Sequence, residues 1–356
     1  MNILFITPDI PLATGGGLVG STIEESLYNA AFDLKYSVFT YTMPKYRSSF
    51  HKLWNQLIGY TSGMSYSTLQ DIKQYIIDKS IDVIVYNNSK YGRAINFIKI
   101  LFPHIRHVVF FHNAEYKFVY GAIKNTRYRF GFITLYSTWL NERKSVQAAN
   151  LLVALNNRDA NDIEQMYGRT VDYICPISLR DRFDRNKIKT PDKIIGAFIG
   201  SNFYANNHGV KWFAENVSPH INYPILIIGK DFEKENEFFS KYKNLQLIGT
   251  VDDVDQYYYN ISFIVSPIFC GSGMKTKTAE AMMFGKTIFG TSEAFEGYEI
   301  EFNQIGCLCN SADEFINAIN SFNPNKYYNE YSRSNFISKY SQSNIVCLFE
   351  RILKIV

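Results

Sequence analysis

The sequence lacks several features that would assign it to a specialised class of protein. No apolar run approaches the roughly 18 residues of a membrane-spanning helix. The first stretch, MNILFITPDIP, has neither the basic region nor the small-residue cleavage site of a secretion signal. The five cysteines are odd in number and scattered, which argues against a disulfide framework. These absences predict a cytoplasmic protein.

The net charge of the chain is also small. It is only +4 over 356 residues, and no nucleic-acid recognition module is visible, so we expect no nucleic-acid partner. Charged residues make up 20% of the chain and hydrophobic residues 46%, which is the balance of a folded protein. Aromatic residues are abundant, with 26 Tyr and 28 Phe. Aromatic side chains suit sugar- or lipid-facing surfaces and suit an ordinary core equally well.

Short β-branched runs alternate with helix-length segments through most of the chain. Runs that are apolar throughout are typical of parallel strands buried on both faces of a sheet. The pattern predicts ten strands, at 3–7, 36–42, 82–87, 107–113, 151–155, 194–200, 224–229, 245–249, 263–267 and 287–291. The fold class is therefore α/β.

The alternation stops once and then restarts, which divides the chain. Residues 178–192 are strongly charged and have no apolar face, as in a linker. We predict two doubly wound, Rossmann-like domains, 1–177 and 193–340, that face each other across a cleft. Residues 341–356 have apolar positions at helical spacing and predict a C-terminal helix that packs back on the N-terminal domain.

Ligands of such sheets bind at the carboxyl ends of the strands, so the loops there are the candidate sites. After the first strand, Gly15, Gly16 and Gly17 allow a tight turn, and a helix from about Ser21 would aim its amides at an anion or substrate. After the fourth strand, His112 ends the run and Glu115 follows three residues later. A packing role for His112 and a functional one remain equally open.

The segment PIFCGSGMKTKTAEAMMFGKT, residues 267–287, is the richest in phosphate-binding features. Its GKT is not a triphosphate-binding loop, because position 280 is Glu where that motif needs Gly, and because GKT precedes a strand. If a helix begins at about Lys275, Glu280 lies one to two turns into it, among apolar neighbours that argue against free exposure. A carboxylate at such a position can accept hydrogen bonds from a ribose. The residues predicted to hold a nucleotide diphosphate are Gly271, Ser272, Gly273, Met274, Lys275 and Lys277.

One pattern could be a metal site. The sequence DDVD, 252–255, contains aspartates with the spacing of a metal-binding DxD motif. It follows a strand and precedes QYYYNI, so Asp252 or Asp253 more simply caps a helix. We expect no metal and no resident cofactor.

The order of these loops resembles GT-B glycosyltransferases, specifically the family-4-like group that uses nucleotide-sugar donors. The resemblance spans almost the whole chain and is strongest over 196–299, where the pattern GSGxKxKxxEAMxxGKT is specific. It implies donor binding by the second domain and acceptor binding by the first. The position of Glu280 implies a ribose contact, and that of His112 a contact to the transferred sugar. Transfer in this group is typically retaining and metal-independent.

The sequence departs from that family at two places. Many relatives have two glutamates eight positions apart, and the first of these positions is Ser272 here. Many also carry Arg and Lys after the strand that ends at Gly200. This chain has Ser201 and Asn202 there, at the start of SNFYANNHGVK, and we predict that these two residues bind the donor. The diphosphate would then depend on Lys275, Lys277 or Lys211, because the leaving group gains charge.

Two segments of the first domain are basic and aromatic, 44–60 and 116–139. This composition fits peripheral contact with the inner face of a membrane or a lipid-diphosphate acceptor, and equally fits a long acceptor loop or core aromatics. We therefore predict a hexosyltransferase whose donor is a nucleotide-diphosphate sugar, most simply a UDP sugar. Its acceptor would be a growing glycan or a lipid-linked molecule, as in surface polysaccharide synthesis. A catalytically silent GT-B subunit and a nucleotide-sugar epimerase are the alternatives.

Overall fold

The computed structural model describes residues 1–10, 15–125, 131–271 and 273–356. The chain divides into two compact units. The first unit comprises Met1–Ser178 and Gln342–Val356, and the second unit comprises Leu179–Ser341.

The first unit is a parallel α/β sheet covered by helices. Its six strands are β1 Asn2–Pro8, β2 Ser37–Met43, β3 Val83–Tyr86, β4 Arg106–Phe111, β5 Leu151–Ala154 and β6 Tyr173–Ile174. Its helices are α1 Gly15–Asp33, α2 Ser49–Leu57, α3 Tyr66–Lys79, α4 Gly92–Leu101, α5 Glu115–Asn125, α6 Gly131–Ala148, α7 Asn157–Tyr167 and, from the end of the chain, α15 Gln342–Ile355. The strand order is β2-β1-β3-β4-β5-β6, and each pair of neighbouring strands is parallel.

The second unit repeats this architecture. Its strands are β7 Gly196–Ile199, β8 Ile225–Ile228, β9 Leu245–Gly249, β10 Phe263–Ser266, β11 Thr287–Gly290 and β12 Gly306–Leu308. Its helices are α8 Tyr204–Asn216, α9 Asn236–Phe239, α10 Asp255–Asn260, α11 Thr276–Met283, α12 Phe302–Ile305, α13 Ala312–Asn320 and α14 Glu330–Asn335. The order is β12-β11-β10-β7-β8-β9, again parallel.

Four strands are buried at every position: VIVY of β3, GAFI of β7, FIVS of β10 and TIFG of β11. Parallel sheets need apolar residues on both faces because helices cover both. The predicted α/β class and all ten predicted strands are confirmed. The structure adds two short edge strands, β6 and β12, that the pattern does not predict.

The segment 178–192 is the predicted linker, and it contacts the second unit. From Leu179 onward it belongs to the second unit, and the Leu179 amide donates to the Tyr340 carbonyl oxygen at 2.9 Å. Two of its charged residues are paired there: Arg333 Nη1 lies 2.8 Å from Asp181 Oδ1, and Arg182 binds Asp255. Other charged residues of the segment, such as Arg185, Lys187 and Lys189, are exposed to solvent. The terminal helix α15 lies in the first unit, where it packs on α1.

Candidate active site

The strand order of the second sheet reverses between β10 and β7. Strands β7, β8 and β9 follow one another toward one edge, and β10, β11 and β12 toward the other. Ligands of doubly wound sheets bind beyond the carboxyl ends of the strands at such a switch point. Ser201 and Asn202 come directly after β7, and the loop 267–275 comes directly after β10. The predicted donor-binding residues therefore meet at the point where this topology favours a ligand.

The 267–275 loop has a backbone that depends on glycine. Gly273 has φ 66°, in the left-handed region where other residues are strained. Gly271 is exposed and Met274 is buried, while Ser272 lies outside the described residues. Helix α11 begins at Thr276 with Lys275 as its N-cap residue, and no side chain described here caps its first turn. Such a helix start offers backbone amides to an anion.

Helix α8 fixes the position of this loop by close packing. A Cβ atom at Gly209 would lie 1.8 Å from the carbonyl oxygen of Pro267, so only glycine permits this approach. Trp212 of the same helix meets Phe269 edge-on, with ring centroids 4.5 Å apart. The loop is therefore seated on a helix of its own unit.

The charge of Lys275 is paired. Its Nζ donates to Glu293 Oε1 and to the Gly273 carbonyl oxygen, each at 2.7 Å. Glu293 follows β11, and both side chains are largely buried. Lys275 thus ties the 267–275 loop to the end of the neighbouring strand, a role that the sequence does not reveal.

Glu280 lies on α11 and is only 2% exposed. Its Oε1 accepts a hydrogen bond from Arg182 Nη2 at 3.2 Å. Lys277 Nζ lies 2.6 Å from Oε2 but off the line of a hydrogen bond, so Oε2 accepts no hydrogen bond from the described residues. The ion pair with Lys277 compensates the charge of this oxygen, and a ligand hydroxyl could give it the hydrogen bond that Lys277 does not.

Arg182 is the functional residue that sequence reasoning missed in this unit. Its guanidinium binds Asp255 through Nε and Nη2, at 3.0 Å for the shortest contact to each carboxylate oxygen, and it also holds Glu280. Burial lowers the pKa of Arg182, but the hydrogen bonds to Asp255 and the charge of Glu280 outweigh it and raise the pKa. Arg182 orients Glu280. Its only sequence signal was the charged run SLRDRFDR, which suggested a linker.

A second polar cluster lies beside Asn202. Its side chain donates to the Asp231 carbonyl oxygen at 3.0 Å and accepts from Asn207 at 2.6 Å. Lys211, one of the candidate phosphate cations, lies 2.7 Å from Glu235 Oε2, and its hydrogen bond lowers the pKa of Glu235. An open pocket of about 600 Å³ is lined by Asn202, Asn207, Lys211 and Glu235. All three candidate cations of this unit are thus paired with a carboxylate.

The first sheet has its own switch point, between β1 and β3. A pocket of about 370 Å³ lies there, lined by residues that follow β1, β3 and β4. Three of the predicted residues, Gly17, His112 and Glu115, line it together with Asn87 and Lys90.

The glycines at the start of this unit are not in a loop before a helix. Helix α1 begins at Gly15, so Gly15, Gly16 and Gly17 form its first turn, and the predicted start near Ser21 is wrong. Residues 11–14, the rest of the predicted turn, lie outside the described residues. Glycine disfavours helix by about 1 kcal/mol per residue, but propensity is a weak guide where tertiary packing decides. Gly17 is buried in this first turn.

His112 lies one residue beyond β4 and faces the pocket. Its Nε2 lies 2.8 Å from Asn87 Oδ1, while the Asn87 amide group donates to Thr7 Oγ1 at 3.1 Å. Asn87 therefore accepts the proton of Nε2, which fixes the ring. Burial lowers the pKa of His112, aided by Lys90 and opposed by Glu115. His112 is accordingly a neutral imidazole at neutral pH.

Glu115 begins α5 and is buried. Its Oε2 lies 2.9 Å from Lys90 Nζ, and its Oε1 accepts from Asn88 at 3.4 Å. The carboxylate thus holds a lysine at the wall of the pocket. Its position is set by the start of the helix.

Glu142 of α6 holds that helix start in place and was not predicted. Its carboxylate is fully buried and accepts the backbone amides of Glu115 and Tyr116 at 2.8 and 3.1 Å. The Tyr167 hydroxyl donates to Oε2 at 2.7 Å. Burial raises the pKa of Glu142 to about 7 despite these donors. The sequence did not indicate this role, because Glu142 is one of several polar residues in the middle of a helical pattern.

The raised pKa of Glu142 predicts a pH dependence of stability. Between about 4.5 and about 7 the folded protein keeps a proton that the unfolded chain has released, so this group's contribution falls as pH rises through that window. We expect the difference in unfolding free energy between the wild type and Glu142→Gln to decline by a few kcal/mol as the pH rises from about 4.5 to about 7. Urea titrations at a series of pH values measure this difference. A difference independent of pH would contradict the assignment.

The described residues contain no group of three or more His, Cys, Asp or Glu side chains that could hold a metal ion. In the DDVD sequence, Asp253 Oδ1 accepts the amide of Asp255 at 2.9 Å at the start of α10, and Asp255 is bound by Arg182. The two carboxylates of the DxD spacing therefore have separate structural partners. No helix in the described part of the chain is long and apolar enough to cross a membrane.

Comparison with known proteins agrees with this geometry. Residues 193–323 match the family described as glycosyl transferases group 1. No curated protein sequence matches the chain significantly. Solved structures do match: HepE of Anabaena, in complexes with UDP and with UDP-glucose, superposes with TM-scores of 0.72 and 0.70 at 12% identity, over 100% of both chains.

Two further structures agree. A glycosyltransferase from Rickettsia africae has a TM-score of 0.65 at 14% identity, over 99% of this chain and 98% of that one. The lipopolysaccharide outer core galactosyltransferase WaaB has a TM-score of 0.63 at 12% identity, over 100% of both chains. Likeness at such identity establishes the fold, and the matched family adds the enzyme class. The chain is a glycosyltransferase of the GT-B fold, and its residues 193–323 match the glycosyl transferases group 1 family.

Proposed function

We propose that the protein is a retaining, metal-independent glycosyltransferase that moves a hexose from a UDP sugar to a glycan or lipid-linked acceptor. The observation that carries this proposal is Glu280. It lies in the unit whose switch point collects the predicted donor residues, and it keeps one buried carboxylate oxygen without a hydrogen bond. The structures of HepE with UDP and UDP-glucose support the choice of nucleotide.

The ribose would take the place of Lys277 at Oε2 of Glu280. A ribose hydroxyl donates to a carboxylate in dinucleotide sites of doubly wound domains. Arg182 holds Oε1 and leaves Oε2 for the ligand, and the side chain of Lys277, 37% exposed, is the movable group that covers it. Donor binding would therefore displace Lys277 from Glu280.

The diphosphate would lie on the 267–275 loop and the start of α11, with Ser201 and Asn202 on the β7 side. Lys277, released from Glu280, and Lys275, held by Glu293, supply the positive charge. Each lysine would exchange a carboxylate for phosphate oxygens, which carry more charge. The two lysines would thus supply the positive charge that relatives obtain from Arg and Lys after the first strand of this domain. Their attraction to the diphosphate grows stronger as the glycosidic bond breaks and charge develops on the leaving group.

The first unit would receive the sugar and the acceptor at its own switch point. The neutral imidazole of His112 can exchange hydrogen bonds with a sugar hydroxyl, and Lys90, held by Glu115, adds a cation to the same wall. Gly15, Gly16 and Gly17, at the start of α1, would bring backbone close to the substrate.

The reaction needs no protein nucleophile. The bond from the anomeric carbon to the diphosphate oxygen breaks, and a bond to the acceptor oxygen forms on the same face. The acceptor proton passes to the leaving diphosphate, which departs as UDP. Lysine charge and loop amides would take the place that a metal ion holds in other transferases. We place this activity in the cytoplasm, at the inner face of the membrane.

The test is turnover of a panel of UDP, GDP and dTDP hexoses with glycan and lipid-linked acceptors. We expect UDP release that requires an acceptor, persists in EDTA and gives a product with the anomeric configuration of the donor. UDP binding without turnover would instead indicate a catalytically silent subunit. Conversion of the donor sugar without an acceptor would indicate an epimerase.

A further inference from the structure

The first unit carries an unusual set of exposed apolar side chains on α2 and α6. Phe50 is 78% exposed and Trp54 56% on α2, and Phe132 is 73% exposed on α6. We define the α2/α6 face by its exposed large apolar residues, which are Phe50, Trp54, Leu57, Ile58, Phe132 and Tyr136. Isolated exposed apolar residues are ordinary, but a set on adjoining helices indicates a binding surface.

The residues fall on one side of each helix. Positions 50, 54, 57 and 58 are spaced by three or four residues along α2, as 132 and 136 are along α6. The opposite side of α2 is used for packing, since Asn55 and Gln56 are buried. The end of α2 is tied to α6 by a hydrogen bond from Asn141 Nδ2 to the Gly59 carbonyl oxygen at 2.9 Å. The two apolar stripes thus belong to helices that contact each other.

The charge of this region selects the partner. The described residues of the segments 44–60 and 116–139 include no Asp or Glu and five cations, which are Lys45, Arg47, Lys52, Lys117 and Lys124. Lys45 and Lys117 have carboxylate partners, Asp9 and Asp162, in other segments. Arg143 on α6 lies over the Trp139 ring, 5.4 Å from its centroid. Exposed Trp, Phe and Leu beside Lys and Arg are typical of helices that lie in the headgroup region of anionic membranes.

We propose that the first unit docks on an anionic lipid bilayer through the α2/α6 face. A groove of about 750 Å³ lies on the other side of these two helices, away from the α2/α6 face, and is lined by Ser49, Lys52 and Gln56 from α2 and by Thr134 and Thr138 from α6. The groove shares Asn88 and Lys90 with the pocket of His112.

Co-sedimentation with lipid vesicles tests the docking surface without any catalytic step. We expect the full chain to sediment with equimolar phosphatidylglycerol and phosphatidylcholine vesicles, much less with phosphatidylcholine alone, and less again at high salt. The double variant Phe50→Ser/Trp54→Ser should lose about tenfold or more in vesicle affinity. The matched control is Phe32→Ser on α1, because Phe32 is 82% exposed outside the face, and it should bind as wild type does.

Several outcomes would overturn the proposal. They are failure of wild type to sediment with anionic vesicles, equal loss in Phe32→Ser, or unchanged binding of the double variant. A dimer that the double variant dissociates, with no vesicle binding, would assign the face to a second copy of the chain. Calorimetric binding of UDP to the double variant should stay at the wild-type value, so failure of this proposal is distinguishable from failure of the proposed function.

Discussion

Glu280→Gln is expected to lower kcat/KM for the UDP-hexose donor by about 100-fold or more, because hydrogen bonds to a charged group contribute about 1.5–3 kcal/mol each. The amide keeps the shape of the side chain but loses its charge and one acceptor oxygen. Arg182 and Lys277 also lose the group that holds them. Since the ribose is bound in both ground and transition states, most of the loss should appear in KM for the donor. Initial rates across donor concentrations measure it.

The matched control is Glu301→Gln, which makes the same chemical change at an exposed site of the same unit. It should leave both kinetic constants unchanged. Thermal unfolding of both variants separates a binding defect from a folding defect, because Arg182 keeps its contacts to Asp255 in either case. An unchanged KM in a folded Glu280→Gln protein would remove the ribose role from this residue.

His112→Ala is expected to lower kcat by about 100-fold, the scale of losing one preorganised polar contact at a reacting centre, while UDP affinity stays the same. The residue belongs to the first unit and faces a pocket there, so the nucleotide should not depend on it. Burial keeps the imidazole neutral, so the loss should show little change across neutral pH. Turnover and calorimetric UDP binding together give the two values.

His104→Ala provides the comparison, because His104 is exposed and lies before β4 in the same unit. It should keep full turnover. If His112→Ala weakened UDP binding as much as turnover, the separation of sugar and nucleotide roles between the two units would be wrong. Full activity in His112→Ala would make His112 a packing residue, held by Asn87 alone.

Sequence patterns predicted the sheets well because parallel strands buried on both faces leave a strong signal. All ten predicted strands are present, whereas β6 and β12 have only two and three residues and lie at sheet edges, where partial exposure weakens the pattern. The start of α1 was misplaced, since three glycines argue locally for a turn that tertiary packing overrides.

The site residues were predictable only where they follow a strand, because ligands of doubly wound sheets bind at the carboxyl ends of the strands. His112 and Glu115 line one pocket, and Ser201, Asn202 and the 267–275 loop meet at the other switch point, because strand ends converge in any doubly wound sheet. Residues that act through others were not predictable. Arg182 comes from a charged segment 98 positions before Glu280, and Glu142 follows Glu115 by 27, so only folding brings them together.

The ion pairs of the lysines were likewise beyond the sequence. The sequence predicts Lys275 to be a cation that binds phosphate. In the fold its ammonium donates a hydrogen bond to Glu293, which follows the adjacent strand. A cation held by a carboxylate can still serve a diphosphate if the ligand offers more charge. The pairing therefore predicts that affinity rises with the number of phosphates on the nucleotide.

Calorimetric titration of the wild-type protein with UDP, UMP and uridine tests the central claim most directly. The account predicts that UDP binds most tightly, UMP less and uridine least, and that Glu280→Gln weakens all three through the ribose. UDP binding no tighter than uridine, or binding that Glu280→Gln leaves unchanged, would contradict a donor site built from Glu280 and the 267–275 loop.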